Sequence, residues 1–381
     1  MDVVVCGYIC LDIIPHWTGG GIEMLVPGHI LEMSGVDIST GGAVANTGLT
    51  LYRLGIETSL LGKIGNDIFG KIILELLQGQ NTEITNNMII SNNDESSYTV
   101  VLNPPDTDRI FLNYPGSNHT FNANEISYTD IEGARLFHFG YPPAMKRFYQ
   151  NDGEELIKMF SKVRNMGMVT SLDMVMVDPE SPSGQINWKK FLSNVLPYVD
   201  IFVPSIDELL YMWNKEDYQL LAAGKKKLTL DWLSKLSDEL IEGGVTISAI
   251  KLGNKGLFLK TGIIEGKNLC SLISKKQWSR RQLFSPVYKV DVAGTTGAGD
   301  TTIAGFLSQI IEGSKPEEAI NIGTATGAHC VEYMDATSGI KTIVEIRERM
   351  NKGWEKANPS LCTEGWGYNA ECQLWEKIIS K

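Results

Sequence analysis

The stretch Val290-Asp291-Val292-Ala293-Gly294-Thr295-Thr296-Gly297-Ala298-Gly299-Asp300 decides how this chain is read. An apolar segment enters a glycine-rich turn, which opens at once into the amphipathic run Thr301-Thr302-Ile303-Ala304-Gly305-Phe306-Leu307. A strand, a tight turn and a helix N-terminus in that order gather several backbone N–H groups around one point, and the helix dipole adds partial positive charge there. Such a nest suits an anion, and Asp300 sets a carboxylate at its edge. Transfer of a phosphoryl group to a hydroxyl needs that pair. The amides stabilise charge on the moving group, and the carboxylate takes the alcohol proton. The competing account is a glycine-rich βα turn with Asp300 as an ordinary helix cap.

Outward from this stretch, residues 2–6 read as a continuous buried strand, and Gly41 to Leu54 as a glycine turn followed by a helix. Leu60 to Ile64 reads as a strand and Ile68 to Leu77 as a helix. From about residue 134 the rhythm is strand–helix–strand: Leu136–Phe139, Gly153–Met166, Val169–Asp173, Trp188–Leu196 and Ile201–Val203 in turn. That alternation argues an α/β fold, a three-layer sandwich whose mostly parallel central sheet is covered by helices on both faces. The segments 13–39 and 96–118 fit a small β lid built from two insertions. Within the second, 96–102 and 109–114 alternate as hairpin strands, with Pro104-Pro105-Asp106 as the turn. We expect a single domain over 1–381 with a C-terminal extension over 358–381, whose Trp366, Tyr368 and Trp375 would pack on the body or on a partner subunit.

The chain has 381 residues and a net charge of -11, which argues against nucleic-acid binding, and no basic run offers a local exception. Asp2 stands where a signal peptide would be basic, and Asp12 cuts the first apolar run short of a membrane span. Six cysteines without metal-ligand spacing read as reduced thiols, so a cytoplasmic location is expected. A dinucleotide-binding fingerprint fails because Thr302 occupies the place of its last glycine, and there is no Walker-type phosphate loop.

Two motifs, Gly41-Gly42-Ala43-Val44-Ala45-Asn46-Thr47-Gly48 and Gly294-Thr295-Thr296-Gly297-Ala298-Gly299-Asp300, come in the order that resembles the ribokinase-like (PfkB) carbohydrate kinase family. The resemblance runs from about residue 2 to about 345 and implies transfer of the γ-phosphoryl group of ATP to a primary hydroxyl of a sugar. It implies Asp300 as the base and the amides of Gly297, Ala298 and Gly299 as the anion hole. Asp12, Gly41, Gly42 and Asn46 would bind the substrate, with Asn113 and His16 as lid candidates. Lys251, Gly253, Gly256, Ser205 and Thr296 would line the ATP site. Glu208 would organise Mg²⁺, chiefly through water. For Ser205 and Glu208 a helix cap is the alternative, and Gly65 and Asp67 read as a turn and a cap.

The chain departs from the family at three places. Ser205 replaces an asparagine, and Gly294 replaces an aspartate beside the monovalent-cation site, which argues against monovalent-cation activation. After Asp173, Val175 and Val177 stand where some sugar-acid and fructose kinases have the Asn and Arg of an Asp-x-Asn-x-Arg pattern, which argues against an acidic sugar that needs an arginine clamp. The implied partners are a small sugar and ATP, with no nucleic acid and no membrane, and a homodimer through the lid is plausible because exposed sheet edges pair. A nucleoside kinase of the same fold and a non-catalytic sugar or nucleotide sensor remain open.

Overall fold

The run Val-Val-Val-Cys-Gly of Val3–Gly7 has no polar side chain and opens on three β-branched valines, so it suits a strand buried on both faces. Val3 and Val5 face one apolar layer and Val4 and Cys6 the other, the alternation expected of a strand between two sheets of helices. The structure, a computed structural model, describes residues 1–105, 107 and 109–378. Val3–Gly7 lies near one edge of a ten-stranded sheet, between Thr58–Leu61 and Leu136–Gly140. Val169–Leu172, Ile201–Phe202 and Ile247–Lys251 follow, all parallel.

Beyond Ile247–Lys251 the sheet turns antiparallel through Leu257–Thr261, Gln282–Ser285, Leu374–Lys377 and Trp366–Asn369. The sheet is thus mostly parallel, as the strand–helix rhythm implies. Its last two strands come from the aromatic tail, which the sequence reading left without secondary structure. Trp366 packs edge-on against Phe258 at 5.9 Å between ring centres and donates from Nε1 to Asp231 at 2.9 Å. The tail therefore finds its partner within the chain. Residues 379–381 of the expected extension lie outside the described residues.

A separate four-stranded sheet orders Val36–Gly41, Cys10–Pro15, Tyr98–Leu102 and Ile110–Tyr114. It is the small β sheet expected from the two insertions, although its first strands begin and end outside 13–39. Between them the chain runs through turns with one short helical turn at Ile22–Met24. Tyr98–Leu102 and Ile110–Tyr114 form the hairpin, and Asp106 of its expected turn lies outside the described residues. The pairings Asp12↔Thr99 and Thr99↔Asn113 set these three side chains in one row on one face. Ile38, Ile13, Val100 and Leu112 form the row on the other.

One expected strand is divided. Leu60 to Ile64 resolves into Thr58–Leu61 and Lys63–Gly65, because the chain leaves the main sheet at Gly62 to pair with Ile89–Ser91. Asp67 caps the next helix by accepting from the Gly70 amide at 2.7 Å.

Candidate active site

In a parallel sheet the loops after the strands emerge on one edge, where ligands bind in open α/β folds. Here that edge carries Tyr8 after Val3–Gly7, Tyr141 after Leu136–Gly140, Asp173 after Val169–Leu172, Ser205 after Ile201–Phe202, and Lys251. Two helices also begin there, Ala43–Arg53 and Ala298–Ile311. The second starts at Gly297, whose φ of 73° favours glycine and where a Cβ would collide with Ala336. First-turn amides have no acceptor within their own helix; here the Ala298 amide turns back to the Thr295 carbonyl at 3.4 Å, and those of Gly297 and Gly299 have no partner among the described residues.

Asp300 is 3% exposed and held on two sides. Asn46 Nδ2 donates to its Oδ2 at 2.9 Å, and the Tyr141 hydroxyl lies 2.8 Å from both Oδ1 and Oδ2. The two glycine motifs thus meet through their own side chains. Burial pushes the Asp300 carboxyl above the ordinary aspartate range, and Asn46, the Lys251 charge and Tyr141 oppose that push. Asn46 Oδ1 is buried without a partner among the described residues, so an acceptor stands ready beside the carboxylate.

Lys251 lies 2.7 Å from Asp173, and the Gly299 backbone is its neighbour, since a Cβ there would sit 3.6 Å from Nζ. One ammonium therefore serves three carboxyl groups. Burial would lower the Lys251 pKa, but Asp173, Glu208 and Asp300 outweigh it and hold the group charged. Burial pushes Asp173 upward, and its Oδ2 has no partner among the described residues. His138, behind them, is depressed to about 3 by burial and by Lys251, so it stays neutral.

Ser205 and Glu208 form a capping box at the helix Ile206–Trp213. The Ser205 amide donates to Glu208 Oε2 at 2.7 Å, and the Glu208 amide donates to Ser205 Oγ at 3.3 Å. The capping account is thus realised, with Glu208 still close enough to feel Lys251 and Asp300. Gly253 and Gly256 bracket a short helical turn after Lys251.

On the lid side, Asp12 Oδ1 accepts from Cys10 Sγ at 3.2 Å, and Gly41 packs so close that a Cβ there would collide with the Asp12 carboxylate. Gly42 follows as the N-cap of the helix that carries Asn46. Asn113 Oδ1 accepts from the Tyr8 hydroxyl at 2.7 Å and from Thr99 Oγ1 at 3.1 Å. The Tyr8 ring lies 6.5 Å from that of Tyr141. Side chains from Asp12 through Thr99, Asn113, Tyr8 and Tyr141 to Asp300 therefore run in a continuous line. His16 is not among them, because it pairs with Asp37 at 2.8 Å at the far end of its strand.

Two residues escaped the sequence reading. Tyr141 had a signal, a polar aromatic after a buried strand and before Pro142-Pro143, at the edge where ligands bind. Arg109 had none. Its guanidinium spans from the lid to the anion turn, bonding Thr296 Oγ1 and lying 3.1 Å from Thr295 Oγ1.

A strand edge with a glycine-rich helix start, a buried carboxylate and a small β sheet beside both is the arrangement of an α/β phosphotransferase. Residues 2–343 match the pfkB family carbohydrate kinase model, and the chain belongs to that family. It is 28% identical over 298 residues to an uncharacterised sugar kinase of Archaeoglobus fulgidus, covering 77% of this chain and 99% of the relative. It is 25% identical to the 2-dehydro-3-deoxygluconokinase of Bacillus subtilis, covering 83% and 87%. Among solved structures, the ribokinase of Arabidopsis thaliana complexed with ribose and ATP superposes with a TM-score of 0.69 at 20% identity, covering 91% of this chain and 97% of that one. The fructokinase of Xylella fastidiosa with bound ATP gives 0.69 at 17% identity, covering 92% and 98%. The chain is accordingly a sugar kinase. No helix among the described residues is long and apolar enough to cross a membrane.

The Asp12 carboxyl is pushed up to about 6, chiefly by burial. An unfolded aspartate titrates near 3.9, so between the two values the folded state holds the extra proton and stability falls as pH rises. Asp12→Asn removes this cost. The variant is expected to be more stable than the parent at pH 8 by about 3 kcal/mol, with the gap closing toward pH 4. Thermal unfolding of both across that range checks it, and an equal midpoint at pH 8 refutes the buried-charge account.

Proposed function

We propose that this kinase transfers the γ-phosphoryl group of ATP to a primary hydroxyl of a neutral sugar. Asp300 takes the hydroxyl proton, and the Gly297, Ala298 and Gly299 amides receive the transferring group. The observation that carries this reading is the bond from Asn46 to Asp300, which ties a sugar-type acceptor set to the carboxylate at the anion turn. Asp12, Gly41, Gly42, Asn46 and Asn113 form the acceptor side. Lys251, Thr296, Ser205 and the Gly253 to Gly256 turn form the nucleotide side. A base of this type contributes roughly 10²–10⁴-fold in rate.

The acceptor line favours an uncharged substrate. Its groups are carboxylates, amides and hydroxyls, and valines stand at 175 and 177. The cations Lys251 and Arg109 lie instead beside the anion turn. For Mg²⁺ the donor set fits a water-mediated role, because Glu208 and the unpartnered Asp173 oxygen are hard oxygen donors. The ion would neutralise phosphate charge. The six cysteines are all unpaired, which supports a reducing compartment such as the cytoplasm.

Potassium does not fit. A Cβ at Gly294 would already lie 2.9 Å from the Tyr333 carbonyl and 3.0 Å from that of Met334, leaving no carboxylate at this position. Asp335 Oδ1 is taken by the Thr337 and Ser338 amides, and Asp291 is exposed. The outer row of the lid supports a homodimer, since Ile38 and Leu112 are 45% and 54% exposed on a sheet face next to Val36 at 53%.

Three tests follow from this reading. Asp300→Asn should lower kcat by at least ~10² while ATP affinity stays near the parent value. ADP release across a sugar and nucleoside panel measures it, and retained turnover would remove Asp300 from the chemistry. Replacing potassium by tetramethylammonium should change the rate less than about twofold, since no cation bond contributes to the barrier; a large drop would contradict the Gly294 argument. Light scattering should give twice the chain mass, reduced to one chain mass by Leu112→Asp. A monomeric parent protein disproves the lid pairing.

A further inference from the structure

Tyr141 has a conformation that aromatic residues rarely adopt. Its φ of 68° and ψ of 41° place it in the left-handed region, immediately before Pro142. The turn that follows holds it there, since the Ala144 amide donates to the Tyr141 carbonyl at 3.0 Å. A strained backbone at a strand end is kept where surrounding contacts enforce it. Here the contact is the hydroxyl, 2.8 Å from each oxygen of Asp300. The ring lies against Tyr8, so the hydroxyl is held by packing as well as by the turn.

We infer that Tyr141 is a positioning residue that locks the Asp300 carboxylate and leaves Oδ1 as the atom that receives the acceptor proton. The inference rests on the reading of Asp300 as the base. A carboxylate offers about four lone-pair directions, two on each oxygen. A donor equidistant from both oxygens occupies the notch between them and stops the group from rotating. Asn46 takes the outer direction on Oδ2. The outer direction on Oδ1 is left for the sugar hydroxyl. In the transfer, the acceptor oxygen bonds to the γ-phosphorus, the bond from that phosphorus to the ADP oxygen breaks, and the hydroxyl proton moves to Oδ1.

Tyr141 also tunes the base. A hydrogen bond to the ionised form favours it, so the hydroxyl opposes the rise that burial imposes on Asp300. The other charged or titratable groups facing Asp300 are Lys251 on its strand, Asp173 and Glu208 at neighbouring strand ends, and Cys330 on the adjoining helix. None of them bonds to its oxygens among the described residues.

The test compares kcat against pH, at saturating Mg-ATP and sugar, for the parent, Tyr141→Phe and a protein with 3-fluorotyrosine at position 141. Tyr141→Phe should bind Mg-ATP as the parent does, lose about tenfold in kcat, and shift the acid limb up by about 1 pH unit, the worth of one hydrogen bond to a carboxylate. Fluorotyrosine keeps the shape and donates more strongly, so it should move the limb to lower pH. A purely structural role for Tyr141 would change stability and leave the limb in place. If Tyr141→Phe fails to fold, the fluorotyrosine protein decides the question alone. An unmoved limb in the folded variants overturns the inference. Asp300→Asn separates the two layers: if it is inactive while both Tyr141 proteins keep the parental limb, only the role of Tyr141 falls. An active Asp300→Asn removes the base reading and this inference with it.

Discussion

The organisation of the molecule depends on the hydrogen bond from Asn46 to Asp300, made 2.9 Å apart by residues 254 positions distant in the chain. Both lie in the first turn of a helix, and the two helices start at the same edge of the sheet. Their dipoles therefore point partial positive charge at one place. Under the proposed function, that convergence would keep the acid-rich edge of an acidic protein attractive to polyphosphate. Asp173, Glu208 and Asp300 crowd one ammonium, yet the helix ends and Lys251 set the local field, not the net charge of -11.

The parallel core and the two glycine motifs were legible because each depends on local physics. Val3–Gly7 can only be a doubly buried strand, and a glycine turn opening into an amphipathic helix is recognisable wherever it occurs. The antiparallel end of the sheet was not legible. Trp366–Asn369 and Leu374–Lys377 are four residues each; they pair with each other, and Leu374–Lys377 joins the sheet through Gln282–Ser285, a contact of high sequence separation. Short strands of that kind carry little signal of their own. Arg109 was missed for the same reason, since nothing in Arg109-Ile110-Phe111 announces that a hairpin will carry it to Thr295. Ser205 and Glu208 show the opposite case. Their spacing as a capping box was readable, and it is realised, so the same two residues serve the helix and face the charged cluster.

The lid sheet separates two surfaces by strand alternation alone. Asp12, Thr99 and Asn113 line one face, and Ile13, Ile38, Val100 and Leu112 the other. A one-residue slip in Cys10–Pro15 would exchange the two sets, placing Ile13 toward the polar line and Asp12 outside it. Register therefore decides which set of side chains this sheet turns toward Tyr8 and Asp300. It is set by Gly41, which lets Val36–Gly41 approach the Asp12 carboxylate and continue directly into the helix of Asn46.

The same geometry bears on what the proposed role of Asp300 as the base would require. A sugar hydroxyl is far too weak an acid for a carboxylate to deprotonate in advance, so the proton must move late, as bonding to phosphorus acidifies it. What the protein then has to supply is position rather than basicity. Asp300 is held by donors from a helix and from a strained loop, and it sits three residues into the helix that carries the anion turn. Movement of the Asp300 carboxylate relative to the first-turn amides is thereby restricted to movement within a single helical turn. Placing the carboxylate and the helix-start amides on one rigid element fixes their separation without help from the lid, which in the proposed reaction would be left to bring the acceptor and exclude water.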